Sequence, residues 1–395
     1  MPLSSQDALF PRSVTVVAPT KHAARGAEPP TTNPAGVAVA VATPAAKRAS
    51  GVMNRQPTNT AGAEAIAGSA TLGLFAIPLG VAGLGGVWQA LRATLSAPAW
   101  PAETLFAIST AIWIALTATY VASALRRPGG FTADRTHVIY GPFAAYIPVI
   151  GVLISSHYVA YAHAVARAAV IVFVVALAII AAQLLAHWLL GNLPVATFHP
   201  GYFLPTVAGA FIASIGLSLS GWHEAAEAAF GIGVFFWLTI GTLIFGRLFT
   251  GAPLPDAIKP ALSVLVSPPA TAGIAWFLIT GGRIDIVEDI LLGILFMMLL
   301  VQTLFFAEYH KLPFTTNFWA FTFPVGASTN LVVRWLNTEA FPFWRAWSWS
   351  LAGIATAFVI ALAAATVADR TRHRHSDPRP TSAIRSRRTE HQRAS

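Results

Sequence analysis

Every second long apolar segment of this chain carries a proline in its interior, and the segments between them carry none. The prolines are Pro78 in LFAIPLG, Pro148 in AAYIPVIG, Pro205 in GYFLPTVAG, Pro268 with Pro269 in LVSPPATAG, and Pro324 in WAFTFPVGAS. The segments fall near 69–92, 102–124, 140–158, 165–189, 201–220, 222–248, 260–280, 286–309, 317–336 and 344–368. Each is close to the roughly 20 residues that cross a hydrocarbon core. A proline removes one backbone N–H and frees the carbonyl one turn back, so the helix bends there. In lipid that carbonyl must find a partner in protein or water. The expected unit is therefore a hairpin of one kinked and one straight helix, repeated five times. The kinked helices also collect glycines, such as Gly80, Gly83, Gly85 and Gly86, which let backbones approach closely. The simplest assembly is an all-α integral membrane fold of ten helices, with the five kinked ones as an inner ring around a central passage.

Composition agrees with a membrane setting. The chain is 55% hydrophobic and only 10% charged, against about 25% charged in an ordinary soluble domain. Cysteine is absent, which excludes disulfides and thiolate chemistry. The net charge of +9 does not point to nucleic acid, because of where the charges lie. An even number of spans puts both termini on one side. That side holds the basic tails, Arg126, Arg127, Arg135, Arg247, Lys259 and Lys311, whereas the other holds Arg92, Arg167, Arg283, Arg334 and Arg345. The positive-inside rule places both tails in the cytoplasm, and the plasma (cell inner) membrane is the expected location. Residues 1–66, rich in Ala, Pro, Thr and Arg, read as a disordered N-terminal tail. Residues 67–369 form the transmembrane domain, and 370–395 a basic disordered C-terminal tail. No secretory signal is visible, since GVAVAVATPAA (36–46) is too short to span.

No catalytic constellation stands out. His223, Glu224 and Glu227 sit at a helix start, where carboxylates are favoured for capping reasons alone. His157 and His163 flank one loop, and His187 and His199 another, but no pair falls on facing helices at matched depth. No metal site and no cofactor are expected. Arg283, Asp285, Glu288 and Asp289 read as an external loop that balances its own charge. The kinked helices have no Asp, Glu, Lys or Arg in their interiors, with Arg334 near an end. Their polar groups are hydroxyls and amides such as Ser155, Ser156, Ser267, Thr322, Ser328 and Asn330. A passage without carboxylates favours small anions as cargo, moving passively, because proton-coupled carriers keep an ionisable group inside the membrane.

Five stretches, in order along the chain, carry a resemblance: GLFAIPLGVAGLGGVW (73–88), AYIPVIGVLI (145–154), FHPGYFLPTVAGAF (198–211), GWHEAAEAAFGIG (221–233) and WAFTFPVGAS (319–328). Through them the chain resembles the tellurite-resistance and dicarboxylate transporter family, over roughly residues 70 to 368. That family also includes the slow-type anion channels of plant guard cells and fungal malate and sulfite carriers. The resemblance implies ten helices in a pseudo-fivefold ring and a homotrimer with one pore per protomer. It also implies a phenylalanine occluding each pore, which falls on Phe323, the last aromatic of WAFTFP. Pro78, Pro148, Pro205, Pro268 and Pro324 are expected to line that pore at its bends.

The function expected is passive transport of small anions, with no enzymatic activity. Two rivals differ from it in kind. A proton-coupled carrier of C4-dicarboxylates, sulfite or tellurite would need a titrating group such as His157 or Glu308. A membrane sensor would keep the ring but conduct nothing, and would use its basic tails to hold a partner.

Overall fold

The computed structural model describes residues 71–376 apart from Asn192. The described residues form a bundle of helices. In chain order these are α1 (Ala76–Leu95), α2 (Trp100–Arg126), the short α3 (Gly130–Thr136), α4 (Tyr146–Tyr158) and α5 (His163–Leu189). They continue with α6 (Gly209–Leu219), α7 (His223–Thr250), α8 (Ser267–Ile279), α9 (Ile286–Tyr309), α10 (Thr322–Thr338) and α11 (Trp344–Ser376). Among the described residues eight helical runs are long and apolar enough to cross a membrane, and a ninth is counted if the bent pair Gly130–Thr136 and Gly141–Tyr158 is one span. The run ending in α10 is too polar for the same measure, because it carries Ser328, Thr329, Asn330 and Arg334. The protein is an all-α, multi-pass membrane protein. The expected N-terminal tail lies outside the described residues, as does most of the C-terminal one. Helix α11 runs on to Ser376, past the boundary expected at residue 369.

Burial sorts the helices into two layers. In the runs Thr71–Leu95, Pro200–Leu219 and Asp256–Ile279, between 67% and 94% of the central window is buried. In α2, α5, α7, α9 and α11 the share is 17% to 33%. The poorly buried helices still present large apolar side chains outward, among them Val172, Ile179, Phe235, Leu238, Phe296 and Leu300. In water such a surface would be costly, whereas against lipid tails it is the expected one. The buried helices close on one another: α1 packs on α4, α4 on α6, α6 on α8, α8 on α10, and α10 returns to α1. Each outer helix follows its inner partner in the chain and packs beside it. The tightest join is between α1 and α10. A Cβ on Gly326 would stand 2.8 Å from the carbonyl carbon of Gly83, and one on Gly80 would stand 1.7 Å from Thr322 Oγ1. Glycine at these places lets two backbones meet where any side chain would separate them.

The bend expected at the prolines is mostly a change of helix type, whereas Pro78 follows a two-residue turn at 74–75. Pro78, Pro148 and Pro324 each hold the third position of their α-helix, and Pro268 and Pro269 the second and third of α8. Just before them lie 3₁₀ turns at Gly141–Ala145, Asp256–Val266 and Thr316–Phe321. Pro205 lies in a wider π-type turn, Leu204–Ala208, that leads into α6. The first N–H groups of an α-helix have no partner within it, so proline is tolerated there. The carbonyl one turn before Pro324 is that of Ala320, and it accepts from Ser263 Oγ of the neighbouring inner segment at 3.1 Å. Outer helices help elsewhere: Ser109 Oγ donates to the Pro78 carbonyl at 2.8 Å and Trp113 Nε1 to that of Ile147 at 3.0 Å.

Candidate functional site

Three cavities lie among the inner helices. The first, about 80 Å³, is bordered by Gly83, Gly86, Gln89, Ser156, His157, Thr271, Asn330 and Arg334 among others. It belongs to the end of the bundle where the helices join by short connections, such as Ser96–Ala99 and Val159–Ala162. The second, about 50 Å³, is bordered mainly by apolar groups: Ala76, Leu79, Phe143, Leu204, Val264 and Trp319, with Tyr146 and Ser267 as the polar exceptions. The third, also about 50 Å³, continues from it to the opposite end through Tyr140, His199 and Asn317. Phe323 and Ile212 are the two residues that border both the first cavity and the second. Phe323 is 8% exposed, and its ring lies over Gly83, where an added Cβ would come within 3.1 Å of Cδ2. The glycine thus supplies the room the ring occupies.

At the far end, the FHPGY stretch builds the mouth. His199 Nδ1 accepts from the Gly201 N–H at 3.1 Å, which leaves the proton on Nε2 to be donated to the Ile139 carbonyl at 3.2 Å. The Tyr202 hydroxyl donates to the Val138 carbonyl at 2.6 Å. These bonds pin the loop before α4 to the start of the next inner segment. Burial disfavours the imidazolium and pushes the His199 pKa down to about 4.

At the short-loop end, a chain of polar contacts runs from the surface to the first cavity. Arg92 donates to the Tyr161 hydroxyl at 2.9 Å, and Tyr161 donates to Glu103. Glu103 Oε2 lies 3.0 Å from His157 Nε2, and Gln89 Nε2 lies 2.6 Å from His157 Nδ1. Because Gln89 presents an N–H to Nδ1, the proton of the neutral ring is on Nε2 and is donated to Glu103. Phe106 stacks on the imidazole with centroids 4.0 Å apart. None of this was legible from spacing, since Gln89 and Glu103 are remote from His157 in sequence. The reading of residues 283–289 as one self-balancing loop also needs correction. Asp285 does cap α9, accepting from the N–H groups of Val287 and Glu288. Glu288, however, is fully buried, and neither carboxylate oxygen has a hydrogen-bond partner among the described residues. It lies in the first turn of α9, on the face turned inward.

Residues 69–367 match the sequence profile described as voltage-dependent anion channel. The chain belongs to that family. Similar proteins include a tellurite resistance protein TehA homolog of Haemophilus influenzae, 22% identical over 259 residues, or 65% of this chain and 79% of that protein. The S-type anion channel SLAH1 of Arabidopsis thaliana is 30% identical over 123 residues, which cover 30% of this chain and 31% of that one. An uncharacterized transporter of Methanocaldococcus jannaschii is 27% identical over 165 residues, 36% of this chain and 48% of that one.

Within this family member, the residues singled out by sequence are placed unevenly. Phe323 and Pro324 both border the second cavity. Pro78, Pro148, Pro205 and Pro268 are not among the residues bordering the three cavities, and their near neighbours Leu79, Tyr146, Leu204 and Ser267 are. A proline at a helix start aims the backbone, and the next residues supply the surface. His223, Glu224 and Glu227 are exposed at the start of α7. Glu308 is exposed and pairs with Lys311 Nζ at 2.6 Å. Among the described residues no group of three or more His, Asp or Glu is arranged to hold a metal ion. Ile212 and Gln89 border the cavities without having been named from the sequence, and Arg334, which was read only as lying near a helix end, borders the first. Ile212 resembles any other apolar residue in the sequence, and only the fold sets it across from Phe323.

Proposed function

We propose that the protein conducts small anions passively across the plasma membrane, through one pore per protomer that Phe323 occludes. The observation carrying this reading is that one aromatic ring borders two cavities of different character along the axis of the inner ring. A side-chain rotation joins them without moving a helix, and a ring at a narrow point blocks water and ions sterically. Among the described residues no Asp or Glu borders the three cavities, which suits an anion as cargo. In this reading all ten helical runs cross the membrane, both termini are cytoplasmic, and three copies assemble as the family resemblance implies. The short-loop end then faces outward. Membership of an anion channel family supports the cargo class.

A proton-coupled carrier is the second reading, favoured by His157, which borders the first cavity and is hydrogen-bonded to Glu103. Planar-bilayer currents under a salt gradient decide between them, with wild type beside Phe323→Ala. The expected result is a current in the variant at least about tenfold above wild type, reversing near the anion potential, because steric occlusion is removed. A folded variant with unchanged current sinks the gate. Silent bilayers combined with uphill accumulation of labelled dicarboxylate in vesicles transfer the case to the carrier, and silence in both assays to a non-conducting sensor.

A further inference from the structure

A groove of about 260 Å³ lies outside the inner ring, between α9 and α11, and exceeds each of the three inner cavities. The two outer helices leave it because they pack on different partners: α9 on α8 and the turn before it, α11 on α10 and α1. Its floor is the start of α10 and the turn before that helix, with Phe318, Phe321, Pro324 and Val325. Its walls are Leu299, Phe306 and Tyr309 of α9 and Phe358 of α11. Phe306 is 69% exposed, so the groove opens on the face turned to lipid. Each polar side chain along it already bonds to protein. Tyr309 Oη donates to Gln302 Oε1 at 2.7 Å and Gln302 Nε2 to the Leu262 carbonyl at 3.0 Å. Ser263 Oγ is shared between the Pro260 and Ala320 carbonyls. An occupant therefore gains chiefly by apolar contact.

Length and charge name that occupant. From Leu299 to Tyr309 helix α9 rises about 15 Å, which is half of the roughly 30 Å hydrocarbon core, or one leaflet. Just past Tyr309 stands Lys311, exposed and paired with Glu308. On the opposite wall α11 carries Arg370, Arg372 and Arg374 in its last two turns, with Asp369 as their acidic neighbour. These groups lie at one end of the groove. Trp319 of the turn before α10 bonds to Thr366 of α11, and the Tyr309 ring packs on Phe321 of the same turn with centroids 4.8 Å apart. One end is thus flanked by basic residues on both walls, and the rest is apolar.

We propose that the groove holds one acyl chain of an anionic phospholipid, with the headgroup between Lys311 and the basic end of α11. The chain lies against the back of Pro324, which also borders the second cavity beside Phe323. The lipid then braces the turn that carries that ring. The site requires neither conduction nor a particular ion, so it stands apart from the pore reading.

The test counts lipids bound to the full chain in detergent by native mass spectrometry, with phosphatidylglycerol or phosphatidylcholine of matched chains as probes. Wild type is expected to half-saturate with phosphatidylglycerol at a concentration about tenfold lower, the size expected of one or two basic residues at the headgroup. Lys311→Gln combined with Arg370→Gln should bring the two lipids together. Leu299→Trp, which fills the groove, should weaken phosphatidylglycerol at least about tenfold, because the chain loses its buried area. Leu300→Trp, on the exposed side of the same helix, should bind as wild type. The double Gln variant carries the test if Leu299→Trp does not fold. Equal half-saturation of the two lipids in wild type, or a folded Leu299→Trp that binds as wild type does, would overturn the site. Weakening by both Trp variants would mark a general lipid shell and overturn it too. If Leu299→Trp splits the assembly while the lipid count holds, the groove belongs to a second copy and the proposal falls.

Discussion

The two cavities that meet at Phe323 are built by the same five helices and have little in common. On the short-loop side the lining mixes amides, hydroxyls, an imidazole and a guanidinium; on the other it is aromatic and aliphatic, with Tyr146 and Ser267 as exceptions. Even the one indole N–H there is turned away, since Trp319 Nε1 donates outward to Thr366 Oγ1 of α11 at 2.9 Å. On the proposed reading, the contrast means that charge and dehydration are handled in separate places. A cation beside a small anion lowers the cost of holding it, whereas an apolar sleeve makes it shed water. On the proposed reading, the ring between them has only a short distance to block.

The wall shared by both compartments is the α1–α10 crossing, and breaking it should have the largest effect. Gly326→Ala sets a Cβ against the Gly83 backbone, which no rotamer change can relieve. A loss of about 3 kcal/mol is expected, at the upper end for overpacking, and would be read as a lower unfolding midpoint in detergent. A midpoint equal to wild type would mean that the two helices are not this close.

Acid should expose the difference between the two ends. His199 at the far mouth is buried as the neutral base, with its pKa pushed down from 6.5 to about 4. The unfolded chain therefore binds the extra proton first as pH falls. Stability is fully present above about pH 6.5 and is lost toward pH 4, by up to about 3 kcal/mol. His199→Asn should flatten that part of the pH–stability curve, with the remaining slope unchanged. An unaltered curve would remove His199 as its source.

The smallest effect sharpens the boundary itself. Ile212→Val removes one methylene opposite Phe323 and should cost about 1 kcal/mol. Bilayer current should rise, by less than in Phe323→Ala. A current rise without Ile212 touching both compartments would have no source in this geometry, so equal currents in wild type and variant would place the constriction elsewhere.

Much of this was legible because it is local. A run of apolar residues declares a span wherever it lies, and a proline declares where an α-helix can begin, whatever surrounds it. The prolines were nevertheless read as bends inside helices, and most of them mark α-helix starts, while Pro205 lies in a π-type turn; the turn before Pro324 depends on neighbours such as Ser263, which is remote in sequence from Ala320. Glu288 was read as a loop charge because its neighbours in sequence are charged, although the fold buries it in the first turn of α9.

What the chain alone determined is the membrane class, the hairpin repeat, the alternation of inner and outer helices and the family. Each follows from hydropathy and backbone constraints that act within one turn or one span. Tertiary structure decided which residues face the cavities. It brought Ile212 opposite Phe323, tied His157 to both Gln89 and Glu103, and set Arg334 against Asn330 at the edge of the first cavity. The physical reason is that pairing and burial of polar groups depend on distance in space, and hydropathy along the chain carries no record of it.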